Sequence, residues 1–201
     1  VIRREMEAAF REQVGAKWEP CVPCVYVFQD LHDVPAGFSV PPDRAKPWGT
    51  AHAIRAGRYV IAEPFAAINA DDFYGADSFR KLADFLSKPD CPHAHCMVAF
   101  RLGQTLSEHG SVSRGVCLRG ADGLLTGIRE HTKISRHADG TLWDEPPGGE
   151  AIALTGEEPV SMNCWGFQPA LFEELERSFA EFLRGVGDEV ARTEFTIPAV
   201  V

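Results

Sequence analysis

The sequence predicts an α/β protein built on a doubly wound, mostly parallel central sheet. Two short apolar runs, "PFAAIN" (64–69) and "HCMVAFRL" (95–102), have strand length and lack the alternation of a sheet with one wet face. Segments of helical period lie around them at 2–14, 50–60 and 78–86. The 201 residues, 45% hydrophobic, suffice for one substantial core. Strands that alternate with helices are the pattern of such a sheet.

Taken in order, Ile2, Met6, Ala9, Phe10 and Val14 form one apolar stripe with Arg and Glu between them, so 2–14 reads as a helix packed on a sheet, with Gly15 as its stop. "CVYVFQ" (24–29) is rich in β-formers and reads as a strand. Residues 30–49 carry Pro35, Gly37, Pro41, Pro42, Pro47 and Gly49 and read as a long loop, a length often tied to function. "TAHAIRAGRYV" (50–60) follows as a helix with Thr50 at its N-cap. After residue 105 the texture turns β-rich. "GSVSRGVCL" and "LLTGIREHTKI" flank the turn "ADG" (121–123) as a hairpin, a second "ADG" stands at 138–140, and "PVSMNCWGF" (159–167) is a further strand. Phe167, Leu171, Phe172, Leu175, Phe179, Phe182 and Leu183 then mark a closing helix. The expectation is one domain over 1–201 with a β-rich subregion at about 105–160.

The formal net charge is −9, with no dense basic run, which argues against a phosphate-backbone binder and leaves nucleic acid out as a partner. No apolar run is long enough to span a bilayer, and no segment has the form of a secretory signal. A cytoplasmic setting without a membrane partner is expected, and the six cysteines read as reduced thiols. "CVPC" (21–24) has redox spacing but no helix after it. "CPHAHC" (91–96) holds four zinc-type ligands, Cys91, His93, His95 and Cys96, but its spacing is not that of a finger, and it reads as a loop entering a strand.

Two stretches carry the chemistry. In "KPWGTAHAI" (46–54), Gly49 and Thr50 stand between a loop and a helix start, where a backbone can approach a flat or anionic ligand closely; plain capping explains the same pair. In "INADDFYG" (68–75), an apolar strand runs into Asp71 and Asp72. Adjacent carboxylates at a strand end suit Mg²⁺, which takes one or two carboxylates plus phosphate oxygens and water. Helix capping is the alternative. Successive strand residues point apart, so one aspartate is the direct ligand.

Together the two stretches resemble the sugar-phosphate nucleotidyltransferases, the nucleoside-diphosphate-sugar pyrophosphorylases, and most of all their bacterial glucose-1-phosphate nucleotidyltransferase-like branch. "HGSVSRGVCLRGADGLLTGIREHTKI" (109–134), "VSMNCWGFQPALFEEL" (160–175) and "EFTIPAVV" (194–201) are similar to further segments of that family. The resemblance implies a Rossmann-like nucleotide-diphospho-sugar transferase fold, with a mixed, mostly parallel sheet. It implies transfer of a nucleotidyl group from a nucleoside triphosphate to a sugar 1-phosphate, with Mg²⁺ as cofactor. By the same resemblance Asp71 holds the metal and acts in catalysis with Lys133, which reaches the sugar phosphate. Gly49, Thr50 and Asp72 face the nucleotide, while Gly115, Glu130 and Asn163 face the sugar. A homo-oligomer is compatible with it.

The family's glycine-rich triphosphate loop and its second metal aspartate have no counterpart here, and "REHTKI" departs from the usual Glu-Lys-Pro order. The sequence is therefore expected to be either a piece of a longer enzyme or a degenerate protein, and inactive by itself. A metal-dependent glycosyltransferase and a non-catalytic nucleotide- or sugar-binding subunit are the alternatives; Asp71-Asp72 is not the spaced Asp-x-Asp usual in the former.

Overall fold

The computed structural model describes residues 1–88 and 93–201. Its helices are α1 (Glu7–Phe10), α2 (Ala16–Trp18), α3 (Thr50–Arg55), α4 (Gly75–Leu86) and α5 (Leu171–Gly185). Its strands are β1 (Phe65–Ala67), β2 (Cys96–Arg101), β3 (Val112–Arg119), β4 (Leu125–Arg136), β5 (Leu142–Asp144), β6 (Ile152–Leu154) and β7 (Pro159–Phe167). The chain groups into two compact units, one of residues 1–63 and 169–201, the other of residues 64–168.

The second unit contains all seven strands in one sheet, ordered β1-β7-β3-β4-β5-β6 with β2 also on β7, and every pairing is antiparallel. This corrects the expected doubly wound, mostly parallel sheet and the Rossmann-like fold that the resemblance implied. An apolar run reports burial and not the direction of its neighbour. β7 illustrates the point: β2 lies along one of its edges, while β1 and β3 share the other, pairing near Trp165 and Ser161 respectively. Strands so placed are covered like those of a parallel sheet although they run antiparallel. "PFAAIN" yields only three strand residues, partly exposed.

α4 covers β2 and β7. Leu82 sits with Tyr74 and Cys164 in one core cluster, and Leu102, Ile134 and Val160 form another. The β3–β4 hairpin forms as the sequence predicts, turning at residues 120–124, where Gly123 takes the left-handed conformation (φ 81°).

The first unit has no strand among the described residues. "CVYVFQ" makes one isolated bridge, Phe28 to Ile2, because no neighbouring strand is there to extend the pairing. The N-terminal helix does not stop at Gly15 but passes through a π turn, Arg11–Gly15, into α2. A helical glycine costs only about 1 kcal/mol, too little to end a helix by itself. Its face is mostly exposed, with Met6 and Val14 open to solvent, so it is not the sheet-packed helix expected.

α5 buries Leu171, Phe172, Leu175 and Phe179 of the predicted stripe, with Phe182 and Leu183 half-buried and Phe167 in β7 instead, and α3 packs on it. The core is aromatic: Trp48 meets Phe179 edge-on at 5.4 Å, and Phe179 stacks on Phe195 at 5.1 Å. The 30–49 loop is held by Arg44, which stacks on Trp48 at 3.7 Å and donates to the carbonyls of Pro47, Val190 and Thr193. Among the described residues no helix is long and apolar enough to cross a membrane.

Candidate functional site

The predicted sugar-facing residues come together in the second unit around Gly115, a buried glycine of β3. Gly115 of β3 is paired with Glu130 of β4 on one side and Ser161 of β7 on the other. Paired residues share a face of the sheet. A Cβ built on Gly115 would lie 2.5 Å from Ile128 Cγ2 and 3.4 Å from Glu130 Oε2. Any larger residue would therefore displace the side chains flanking this position. Glu130 is exposed and its carboxylate makes no hydrogen bond or ion pair among the described residues.

Two residues along β7 from Ser161 stands Asn163, the only non-glycine with positive φ (55°) among the described residues. The β2–β7 register shifts opposite it, so a bulge turns the strand here. Asparagine tolerates this conformation better than most residues. Its N–H donates to Ser161 Oγ at 3.3 Å, and its side-chain amide remains available.

The loop after β1 closes into a small network. Asn69 Nδ2 donates to Asp72 Oδ2 at 2.8 Å. Tyr74 Oη lies 2.8 Å from the Met162 carbonyl and 3.2 Å from Asp72 Oδ2, and it accepts the Asn69 N–H at 3.0 Å. Burial, with the Asp72 carboxylate close by, pushes the Tyr74 hydroxyl up to about 12, so it remains a proton donor. Neither aspartate caps α4, which has no side-chain cap. Asp72 is half-buried and structural in its contacts. Asp71 is exposed, without a hydrogen bond or ion pair among the described residues.

Arg114 completes the charge pattern. Its guanidinium donates to Thr105 Oγ1 at 3.1 Å, to the Ser113 carbonyl at 2.7 Å and to the Thr105 carbonyl. Burial lowers its pKa from the usual arginine value, and the carboxylates of Asp72 and Glu130 oppose that shift. Lys133 is not drawn in by any bond. Its N–H donates to Asp144 Oδ1 at 2.9 Å, and its exposed side chain follows a shift of the β3–β4 register.

Among the described residues no three His, Cys, Asp or Glu side chains converge on one metal position. Asp71, open beside a half-used Asp72, fits Mg²⁺ only as an ion completed by phosphate oxygens and water. In "CPHAHC", Cys91 lies outside the described residues. His95 packs edge-on against Phe167 at 5.2 Å, while a Cβ on Gly166 would lie 2.6 Å from Cys96 Sγ, so both residues are part of the sheet's packing. Cys21 and Cys24 are exposed free thiols.

In the first unit, Gly49 has φ 112°, and a Cβ there would lie 2.5 Å from the Phe195 carbonyl oxygen. Its own carbonyl accepts Gln29 Nε2 at 3.0 Å. Thr50 begins α3 with Gly49 at the N-cap position, and its hydroxyl accepts the Ile197 N–H at 3.1 Å. Close packing thus accounts for both residues.

Asn69, Tyr74, Arg114 and Ser161 belong to the cluster and were not singled out by the sequence reasoning. Asn69 and Tyr74 flank the two aspartates and Arg114 precedes Gly115, but without the fold no pattern distinguishes them from surface polar residues. No protein-family model matches the chain, and no curated protein matches it.

Proposed function

We propose that the chain binds the sugar 1-phosphate of a nucleotidyl transfer reaction, in which a nucleoside triphosphate and the sugar phosphate give a nucleoside-diphosphate sugar and pyrophosphate. The observation that carries the reading is Gly115 between Glu130 and Ser161 on one sheet face, with Asn163 turned at a bulge beside them. Gly115 makes room for Ile128 on this face, while beside it a carboxylate accepts sugar hydroxyls and an amide both donates and accepts.

The reaction requires the sugar-phosphate oxygen to meet the α-phosphorus in line as pyrophosphate leaves. Positioning therefore carries most of the work of the protein. Glu130 and Asn163 orient the sugar, and Arg114 offsets the negative charge of the carboxylates around it. Lys133, with an exposed ammonium, is assigned to the phosphate. When bound at Asp71, Mg²⁺ would supply charge neutralisation on the phosphates. Thr50 has its hydroxyl engaged by Ile197, so any nucleotide contact at Gly49 and Thr50 is by backbone.

Titration with glucose 1-phosphate, followed at the Gly115 and Asn163 amide resonances, tests the reading. Both are expected to shift saturably, with binding about tenfold weaker in Glu130→Gln. Unmoved resonances would sink the proposal. In a chain that also carries the glycine-rich loop, Asp71→Asn is expected to lower release by orders of magnitude with the fold unchanged; an unchanged rate would remove Asp71 from the metal role.

A further inference from the structure

The loop between β1 and α4 carries one large side chain that the fold does not use. Exposure alternates along it: Asp71 and Phe73 are exposed, while Asp72 is half-buried and Tyr74 is buried. Side chains that alternate in this way point to opposite sides of the chain. Asp72 and Tyr74 turn towards the sheet, and Asp71 and Phe73 turn outward together. A single exposed apolar residue is ordinary on a protein surface. Phe73 differs in degree, because it is 95% exposed, more than any other large apolar side chain among the described residues. The neighbouring rings are in use: Tyr74 meets Phe79 at 6.4 Å and Phe100 at 5.9 Å. The Phe73 ring has no aromatic or cationic partner among the described residues.

Its backbone is nevertheless held on both sides. Before it, Asp72 accepts from Asn69 Nδ2 at 2.8 Å. After it, Tyr74 Oη donates to the Met162 carbonyl at 2.8 Å, and Gly75 turns the chain into α4 with φ 73°. The phenyl thus projects from a fixed base, and little ordering is lost when something covers it. The setting says what that is. Met162, to which Tyr74 is tied, stands between Ser161 and Asn163 of β7, and Ser161 pairs with Gly115. On the outward side of the loop, Phe73 is accompanied by the open carboxylate of Asp71.

On the function proposed above, in which Glu130 and Asn163 orient the sugar, we infer that Phe73 is a specificity-determining residue of that site and that the C–H face of a hexose packs on its ring. A hexose carries hydroxyls around its rim and C–H groups on its faces. Glu130 and Asn163 can hold the rim, and neither has the apolar surface to cover a face. The phenyl has no polar atom, so it adds apolar contact alone and leaves the hydroxyls and the phosphate to the other residues. A second copy of the chain would also cover the ring. A twofold contact there would bring two open Asp71 carboxylates together, which like-charge repulsion opposes.

Glucose 1-phosphate is the probe, titrated into the whole chain and read at the Phe73 ring resonances and at the Gly115 and Asn163 amides. A saturable shift is expected at all three. Phe73→Ala is expected to keep its thermal midpoint, since the ring has no packing to lose, and to bind the sugar phosphate about fivefold more weakly. Phe73→Tyr is expected to bind within about twofold of the unaltered chain, because it keeps the ring face. Inorganic phosphate is expected to bind both the alanine variant and the unaltered chain equally. Equal affinity for glucose 1-phosphate with and without the ring would overturn the inference and leave the proposed function standing. An unmoved Phe73 ring in a titration that shifts Gly115 and Asn163 would do the same without any variant. A matching loss for inorganic phosphate would mean that the ring shapes the loop and does not read the sugar. A dimer that Phe73→Ala converts to a monomer would assign the ring to a contact between copies instead. No shift at any of the three positions would overturn both this role and the proposed function.

Discussion

The two units use their polar residues in opposite ways. In the first, cations are consumed by the fold. Arg55 is 2% exposed and spans Asp33 and Glu176, Arg58 repeats the same pair, and Arg44 is tied to three carbonyls. In the second, carboxylates and amides keep bonds unspent: Glu130 and the Asn163 side chain on the sheet, and Asp71 in the loop after β1. A dense polar motif is therefore not in itself a sign of a ligand; the sign is hydrogen-bonding capacity that the protein leaves unused.

The largest effect that would sharpen this contrast is Arg55→Ala. Removing one partner of a buried ion pair costs about 3–5 kcal/mol when the other is left buried and unpaired; here Asp33 and Glu176 keep Arg58 as partner, so the loss falls at or below the lower end of that range. Asp33 and Glu176 are partly exposed, which places the expectation near about 3 kcal/mol, read as a fall in the urea midpoint. A loss within about 0.5 kcal/mol would show that the network is not holding the unit together.

Gly115→Ala comes next and acts on both fold and site. The added Cβ must move Ile128, at about 1–3 kcal/mol of overpacking, and it presses on the Glu130 carboxylate proposed to hold the sugar. Glucose 1-phosphate binding is expected to be lost in a protein that still folds. Retained binding would show that Gly115 serves packing alone.

How much of this was legible in the sequence differs by element. The α5 stripe, the β3–β4 hairpin and β7 follow directly from period and turn residues, because local spacing determines them. Strand direction was not legible. "HCMVAFRL" is apolar where α4 covers it, "PFAAIN" is apolar yet partly exposed beside β7, and neighbour direction leaves no trace in composition. Glu130 and Gly115 were within reach through the hairpin pattern. Arg114 and Tyr74 were not, since their roles come from contacts with residues far away in sequence, such as the Tyr74 hydroxyl with the Met162 carbonyl.

Thr50→Val tests the boundary between the two uses at a smaller scale. The valine methyl replaces the hydroxyl and leaves the Ile197 N–H without its acceptor, at about 1 kcal/mol. A lowered thermal midpoint with unaltered triphosphate binding would assign Thr50 to packing. Unchanged stability with weakened triphosphate binding would instead place a ligand contact in the first unit and break the comparison.

The subtlest difference is in pH. In the first unit, burial lowers the His52 pKa below 6.5, against an opposing hydrogen bond with the Asp33 carbonyl. The unfolded chain then binds a proton that the folded one refuses, so this stability is complete above about pH 6.5 and is lost as pH falls towards the folded value. For Asp33, burial would raise the pKa, but Arg58 and Arg55 outweigh it and lower it, which adds a second loss below about pH 4. In the second unit, burial pushes Tyr74 up to about 12 and Cys96 and Cys117 up to about 11. There the folded chain keeps protons that the unfolded chain releases, so stability is complete below about pH 8.5 and is lost as pH rises. Hydrogen exchange, corrected for intrinsic rates, is expected to show peptides from 48–60 and 171–185 losing protection first at pH 5. Peptides from 95–101 and 159–167 are expected to lose it first at pH 10. Loss of protection in both sets at the same pH would mean that these buried groups do not govern the two cores separately.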